Sequence, residues 1–247
     1  MVAAALLGIT VSTAPKAKAA TFNWSQTTAT AYSWNDATNW GGSSFPNAID
    51  DVANLNTALA GAETVNLNVP ITIGSLNIGA TTAFGYTLDA GTAGYLTLDG
   101  TSSTSITKTG AGSDTISANI QFNDALTITN SDTTGLLTMT GAMSSLTSNI
   151  TITGTGAVAT GSIVLGAIST AGGLIKEGVG ITQMAVNTTY AGTTWIKAGR
   201  LIANTTSSIP IRSAITIDAG AVLESKQNTM TWGSIAGAGN VTIISGT

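Results

Sequence analysis

Short runs of alternating apolar and polar residues, separated by glycine-rich turns, constrain this chain more than any other feature. Alternation with period two is typical of β-strands that bury one face. Glycine in the intervening turns permits the positive φ that a sharply turning β-chain needs. The sequence therefore predicts an all-β protein. The clearest runs lie at residues 65–73, 96–98, 126–128, 150–152, 215–217 and 241–243.

The composition agrees with strands. The chain has 247 residues, of which 44 are threonine and only 8% are charged. The branched Cβ of threonine suits a pleated strand better than a helix. Ordinary soluble domains carry about 25% charged residues, so the solubility of this chain must come from hydroxyl and amide groups.

The runs recur at a spacing close to one coil of a solenoid. They begin near residues 71, 96, 126, 150, 215 and 241, which gives differences of 25, 30, 24, 65 and 26. The longest gap leaves room for two or three more coils. We therefore predict a right-handed parallel β-helix, in which stacked coils bury rows of like residues. An antiparallel β-sandwich is the alternative, because turn signals also occur within each unit.

Residues 1–19 have the features of a secretory signal peptide. Residues 2–11 form an apolar run too short to span a bilayer, and the small residues Ala17 and Ala19 form an A-x-A cleavage pattern. A buried N-terminal strand is the alternative interpretation of this segment. The sequence then divides into a tryptophan-rich capping segment at 20–60 and a solenoid repeat region at 61–247.

Several classes of chemistry are excluded by residue type. Histidine and cysteine are absent, so there is no imidazole base, thiolate nucleophile, Cys/His zinc site or disulfide. No two basic residues after position 18 are adjacent, which argues against a nucleic-acid partner because such binding needs clustered lysine and arginine.

Residues 172–204, GGLIKEGVGITQMAVNTTYAGTTWIKAGRLIAN, resemble the autotransporter-associated β-strand repeat. Asn187 lies one place off the family's Asn-x-Tyr register, and Arg200 replaces a common threonine. Residues 106–112 look like a weaker copy, and residues 34–41 are similar to the family's opening segment. The positions that match the repeat are Gly172, Gly173, Leu174, Lys176, Gly178, Gly180, Thr188, Tyr190, Gly192, Thr194, Gly199 and Leu201.

This resemblance implies a function and a location. Members are passenger regions of exported bacterial surface proteins, so we expect a non-catalytic structural or adhesive segment that is secreted or held at the extracellular face of the outer membrane. Its expected partners are host or matrix glycans or proteins. We also expect the chain to be a fragment, with the solenoid and an outer-membrane anchor continuing outside it.

Aromatic residues suggest two carbohydrate-binding surfaces, each with a structural alternative. Trp24, Trp34 and Trp40 could stack on sugar rings, but tryptophan buries a large area and a hydrophobic cap over the first coil is the favoured interpretation. Tyr190 and Trp195 could form a second glycan contact, although the repeat resemblance makes Tyr190 structural. A carbohydrate-binding module therefore remains the alternative function.

Acidic residues suggest metal binding or catalysis. Asp50 and Asp51, with Asp36 nearby, offer oxygen ligands for calcium but lack any calcium-loop spacing. Asp89 and Asp99 could serve a β-helix enzyme that degrades polysaccharides, because glycoside hydrolysis needs paired carboxyls. Aspartate beside glycine is first of all turn chemistry. We therefore predict no enzyme activity and no catalytic, cofactor-binding or metal-binding residues.

Overall fold

The computed structural model describes residues 19–156 and 163–244. Its regular structure consists of strands in three parallel sheets and one short 3-10 helix, Ala37–Trp40. The described chain is a parallel β-solenoid, which confirms the predicted fold class. Apart from Ala19, the predicted signal peptide at 1–19 lies outside the described residues.

Sheets 1 and 2 each contain ten strands, and sheet 3 contains five. In order, sheet 1 consists of β1 (Thr21–Asn23), β3 (Val52–Leu55), β6 (Ser75–Ile78), β9 (Thr104–Lys108), β12 (Leu126–Asn130), β15 (Ile150–Gly154), β18 (Leu174–Lys176), β20 (Thr194–Ile196), β22 (Ala214–Ile217) and β24 (Ser234–Gly237). Sheet 2 consists of β2 (Ala31–Ser33), β4 (Glu63–Asn66), β7 (Tyr86–Asp89), β10 (Asp114–Ile116), β13 (Leu137–Met139), β16 (Ile163–Leu165), β19 (Ile181–Met184), β21 (Arg200–Ala203), β23 (Val222–Ser225) and β25 (Asn240–Ile243). Sheet 3 consists of β5 (Ile71–Ile73), β8 (Leu96–Leu98), β11 (Ile120–Phe122), β14 (Met143–Ser144) and β17 (Ile168–Ser169).

The interior is built from rows of aliphatic side chains that run along the solenoid. In sheet 1, Leu76, Ile106, Ile128 and Ile152 pair in register on successive strands, and all four are fully buried. Each buried aliphatic side chain contributes about 1.5–3 kcal/mol. The apolar alternation seen in the sequence thus becomes a continuous core once the coils stack.

All strand pairings in the described residues are parallel, so the antiparallel β-sandwich alternative is wrong. The spacing from Ile71 to Leu96 is a true coil, because these residues pair in sheet 3. The spacing from 96 to 126 is not one coil, because Leu96 belongs to sheet 3 and Leu126 belongs to sheet 1. The spacing from 215 to 241 likewise joins sheet 1 to sheet 2.

The cross-section of the solenoid changes along its length. Sheet 3 ends at β17, so the coils that follow contribute strands only to sheets 1 and 2. Thr151 pairs with Ile175, and the chain between them passes through sheet 3. Ile175 pairs with Trp195 without passing through sheet 3, so this coil is shorter. The long gap in the predicted spacing, from 150 to 215, contains two sheet 1 strands, β18 and β20, as expected.

The tryptophan-rich segment at 20–60 is continuous with the solenoid. Its strands β1 and β2 pair with β3 and β4 and begin sheets 1 and 2. The 3-10 helix follows β2, with Asp36 as its N-cap and Gly41 at its end in the left-handed region. This segment therefore supplies the first coil, and neither sheet is interrupted between residues 60 and 61.

Candidate functional site

The three N-terminal tryptophans form a buried cluster inside the first coil. The ring centroid of Trp40 lies 4.9 Å from that of Trp24 and 4.7 Å from that of Trp34, in edge-to-face arrangements. All three side chains are buried. The indole N–H groups of Trp34 and Trp40 donate to the carbonyl oxygens of Pro46 and Trp34. Rings held in this way are not available to stack on a sugar.

Glu63 is a buried carboxylic acid beside this cluster. Trp24 Nε1 donates to Glu63 Oε1 at 2.5 Å, while Glu63 Oε2 has no hydrogen-bond partner in the described residues. Burial raises the pKa of Glu63 to about 7, against a smaller opposing effect of the Trp24 hydrogen bond. Nothing in the sequence distinguishes this glutamate from a surface residue, because it lies at the start of an ordinary alternating strand.

Replacement of Glu63 by glutamine is expected to remove a pH dependence of stability. The folded chain retains the Glu63 proton up to about pH 7, whereas the unfolded chain releases it near the ordinary pKa of 4.5. The contribution of this carboxyl to the free energy of unfolding is therefore complete below pH 4.5 and falls as the pH rises to 7. The fall amounts to about 3 kcal/mol.

Urea unfolding of the wild type and Glu63→Gln at several pH values between 4.5 and 7.5 measures this effect. The difference in the free energy of unfolding between the two proteins should change by about 3 kcal/mol between pH 4.5 and 7.5. Glu177→Gln is the matched control, because that side chain is 42% exposed. Parallel stability curves for wild type and Glu63→Gln would show that Glu63 titrates normally.

The acidic residues considered for calcium are all hydrogen-bonded in turns. Asp36 Oδ1 accepts from the N–H and hydroxyl of Thr38, and Asp51 accepts from the N–H groups of Ala20 and Asn47. Asp50 has a φ of 66° and accepts from the N–H of Thr101. The described residues contain no group of three acidic, histidine or cysteine side chains placed to hold a metal ion.

The two aspartates considered for catalysis lie in different parts of the coil. Asp89 ends β7 of sheet 2 and accepts from Gly91 N–H and the Ser117 hydroxyl. Asp99 follows β8 of sheet 3 and accepts from the side-chain amide of Asn123. The carbonyl oxygen of Asp99 accepts from the N–H of Asp50, so these two turns meet. Each carboxylate thus accepts a side-chain hydrogen bond from the following coil.

Two buried lysines occupy equivalent corners between sheets 1 and 2. Lys176 Nζ donates to the carbonyl oxygens of Glu177 and Gly178, both at 2.7 Å. Lys108 Nζ donates to the carbonyl oxygen of Gly110 at 2.6 Å and lies 3.2 Å from Asp114 Oδ2. The glycine two residues after each lysine has a positive φ, 80° at Gly110 and 70° at Gly178, which turns the chain around the ammonium group.

These lysines explain a shared sequence pattern. Residues 106–112 and 174–180 both contain lysine followed by glycine at the second and fourth places. Burial lowers the pKa of Lys176 to about 8. In both copies the ammonium satisfies carbonyl oxygens that the tight turn directs inward, so lysine here has a structural role in the corner. The pattern is visible in the sequence, but the burial of its lysines is not.

Tyr190 and Trp195 do not form one surface. Tyr190 is buried, and its hydroxyl bonds Thr194 Oγ1 at 2.5 Å, so it is structural. Burial raises its pKa above the ordinary range. Trp195 lies on the outer face of sheet 1 with 40% of its surface exposed. Its indole N–H donates to Asp218, and Lys197 Nζ lies 4.4 Å from its ring centroid.

A mixed aromatic and charged patch surrounds Trp195 on the outer face of sheet 1. Its members are Trp195, Lys197, Glu177 and Asp218, and Lys197 also pairs with Glu177 at 2.6 Å. No protein-family model, curated protein or solved structure matches this chain. None of the helices in residues 19–156 and 163–244 is long and apolar enough to cross a membrane.

Proposed function

We propose that this chain is a non-catalytic structural segment of an exported bacterial surface protein. The observation that carries the proposal is the pair of uninterrupted ten-stranded parallel sheets. Nine steps between neighbouring strands give a rod roughly 43 Å long, at about 4.8 Å for each step. A rod of this kind holds attached parts at a fixed distance without any disulfide or metal.

The engagement of the acidic side chains supports the non-catalytic part of this proposal. Asp89 ends β7 of sheet 2, Asp99 follows β8 of sheet 3, and each carboxylate accepts a structural hydrogen bond from the following coil, which is the alternative to a catalytic carboxyl pair. A pair that cleaves a glycosidic bond must flank it from two sides. The patch around Trp195 is an exposed aromatic surface through which an adhesive segment would touch a partner.

Export is the part of the proposal that one experiment tests directly. Expressed in a bacterial host from residue 1, the chain is expected outside the inner membrane with Ala20 as its first residue, because Ala17 and Ala19 form the small-residue cleavage pattern. Intact-mass spectrometry of the exported protein identifies the new terminus.

A pair of matched variants sharpens this test. Ala17→Arg with Ala19→Arg should leave the precursor uncleaved, whereas Ala17→Ser with Ala19→Gly should be processed normally, because cleavage requires small residues. Recovery of uncleaved wild-type chain in the cytoplasm would contradict the proposal.

A further inference from the structure

The outer face of sheet 1 contains a regular array of hydroxyl groups on three consecutive strands. Each strand presents two outward side chains separated by one buried isoleucine, in β9, β12 and β15. These strands pair in register, so like positions align across the sheet. We call this array the hydroxyl lattice. Its members are Ser105, Thr107, Thr127, Thr129, Thr151 and Thr153.

The hydroxyl lattice is periodic in two directions. Successive strands are about 4.8 Å apart, and two residues along a strand span about 6.7 Å. Ser75 and Asn77 of β6 pair with Ser105 and Thr107 and extend the same two rows by one strand. Threonine is a common strand residue, and a single outward threonine row also occurs in sheet 2, but in the hydroxyl lattice two such rows lie side by side.

The groups of the hydroxyl lattice are uncharged and largely free. In the described residues, no hydrogen-bond partner occurs for the hydroxyls of its five threonines, and Ser105 bonds only Ser75 at 3.0 Å. The neighbouring ladder differs, because Asn77 donates to Asn54 and Asn54 donates to Asn23 through their amides. All six side chains of the hydroxyl lattice are partly exposed, so the threonine hydroxyls are free to bond a ligand.

We propose that the hydroxyl lattice binds the surface of crystalline ice. A periodic array of identical groups recognises a periodic ligand, and its two repeats are close to those of the oxygen lattice of ice. Each threonine offers a hydroxyl that bonds water and a methyl that packs against it. The fixed register of the strands holds all six groups in position before binding, so little ordering entropy is lost.

Crystalline polysaccharide is the competing periodic ligand, and the composition of the lattice disfavours it. Sugar rings are held chiefly by aromatic faces, and the hydroxyl lattice contains no aromatic residue. The exposed ring nearest in the strand order of sheet 1, Trp195, lies on β20, two strands beyond β15. Ice binding is independent of the proposed structural role, because a solenoid could serve as a rigid rod with or without the hydroxyl lattice.

Ice recrystallisation inhibition by the purified full chain tests the inference. The wild type is expected to arrest the growth of ice grains. Thr127→Tyr with Thr129→Tyr should raise the half-maximal concentration by about tenfold or more, because the bulky rings break the lattice at its centre. The matched control is Thr115→Tyr, which lies in the outward threonine row of sheet 2 between Thr87 and Thr138.

Folding controls and a polysaccharide-binding assay complete the test of ice binding. Circular dichroism and thermal melting establish that each variant is folded, and if the tyrosine pair fails to fold, Thr127→Val with Thr129→Val removes the hydroxyls while keeping the branched shape. Inactivity of the wild type overturns the inference, as does equal activity in the lattice variant and Thr115→Tyr. Binding to cellulose or chitin that only the lattice variant loses, without any effect on ice, assigns this face to polysaccharide and also overturns it.

Discussion

Replacement of Asp114 by alanine is expected to lower the free energy of unfolding by about 3–5 kcal/mol, because it leaves the ammonium of Lys108 buried without its counter-ion. Both side chains are fully buried, and Lys108 Nζ lies 3.2 Å from Asp114 Oδ2. Asp114 Oδ1 also accepts from the N–H of Tyr86 at 2.7 Å, and that bond is lost as well. Urea unfolding followed by circular dichroism measures the change.

Burial raises the pKa of Asp114, against the opposing effects of Tyr86 N–H and Lys108. The pair is therefore held at a desolvation cost, and replacing both members by apolar residues should recover most of the lost stability. Asp114→Leu with Lys108→Met is suitable, because Asp114 pairs with Leu137 in the next coil. Recovery in the double variant would show that the loss comes from the uncompensated charge.

A surface pair provides the matched comparison. The distance from Lys197 Nζ to Glu177 Oε1 is 2.6 Å, shorter than that of the buried pair. The side chains of Glu177 and Lys197 are nevertheless 42% and 33% exposed. Glu177→Ala should change the free energy of unfolding by less than about 1 kcal/mol. If Asp114→Ala is no more destabilising than Glu177→Ala, the buried pair does not have the energetic role assigned to it.

The fold could be predicted from sequence because one periodicity carried most of the information. Alternation in residues 126–128 and 150–152 determines which side chains face inward, and the identical pattern one coil later determines the stacking. Strands and parallel stacking were therefore predictable. So was the length of a coil in this region, because the two runs pair in register, Ile128 with Ile152.

The assignment of strands to sheets could not be predicted in the same way. Leu96 and Leu126 have the same local pattern, yet they belong to sheets 3 and 1. Both β8 and β12 bury aliphatic residues on one side and present threonines on the other, so local composition does not distinguish their sheets. The coil shortens after β17 because sheet 3 ends there.

The buried polar groups were the least predictable feature of the candidate site. Lys108, Lys176 and Glu63 are charged residue types, which are almost never fully buried unless paired. Each lies at an end of its strand, where the corner directs carbonyl oxygens or an indole N–H toward the interior. The two lysines bond groups of their own corners, whereas the bond of Glu63 to Trp24 joins two coils and is recorded in no single stretch of sequence.

Replacement of Trp34 by alanine is expected to destabilise the protein by about 3–5 kcal/mol, because it opens a cavity in the first coil. Trp34 is fully buried, with its ring 4.7 Å from that of Trp40 and its N–H on the carbonyl of Pro46. Solenoids depend on their terminal coils, since each coil contacts only its neighbours. Hydrogen exchange should therefore accelerate in β1 to β4 before it does in β20 to β23.

Two further variants test whether the destabilisation comes from the cavity in the first coil and not simply from the loss of a tryptophan. Trp34→Phe retains most of the buried area and loses the hydrogen bond to Pro46, so it should cost about 1 kcal/mol. Trp195→Ala, on the outer face of sheet 1, should also cost only about 1 kcal/mol because the ring is partly exposed. Uniform acceleration of exchange along the whole solenoid in Trp34→Ala would mean that it unfolds as one unit, and that the first coil does not act as an end cap.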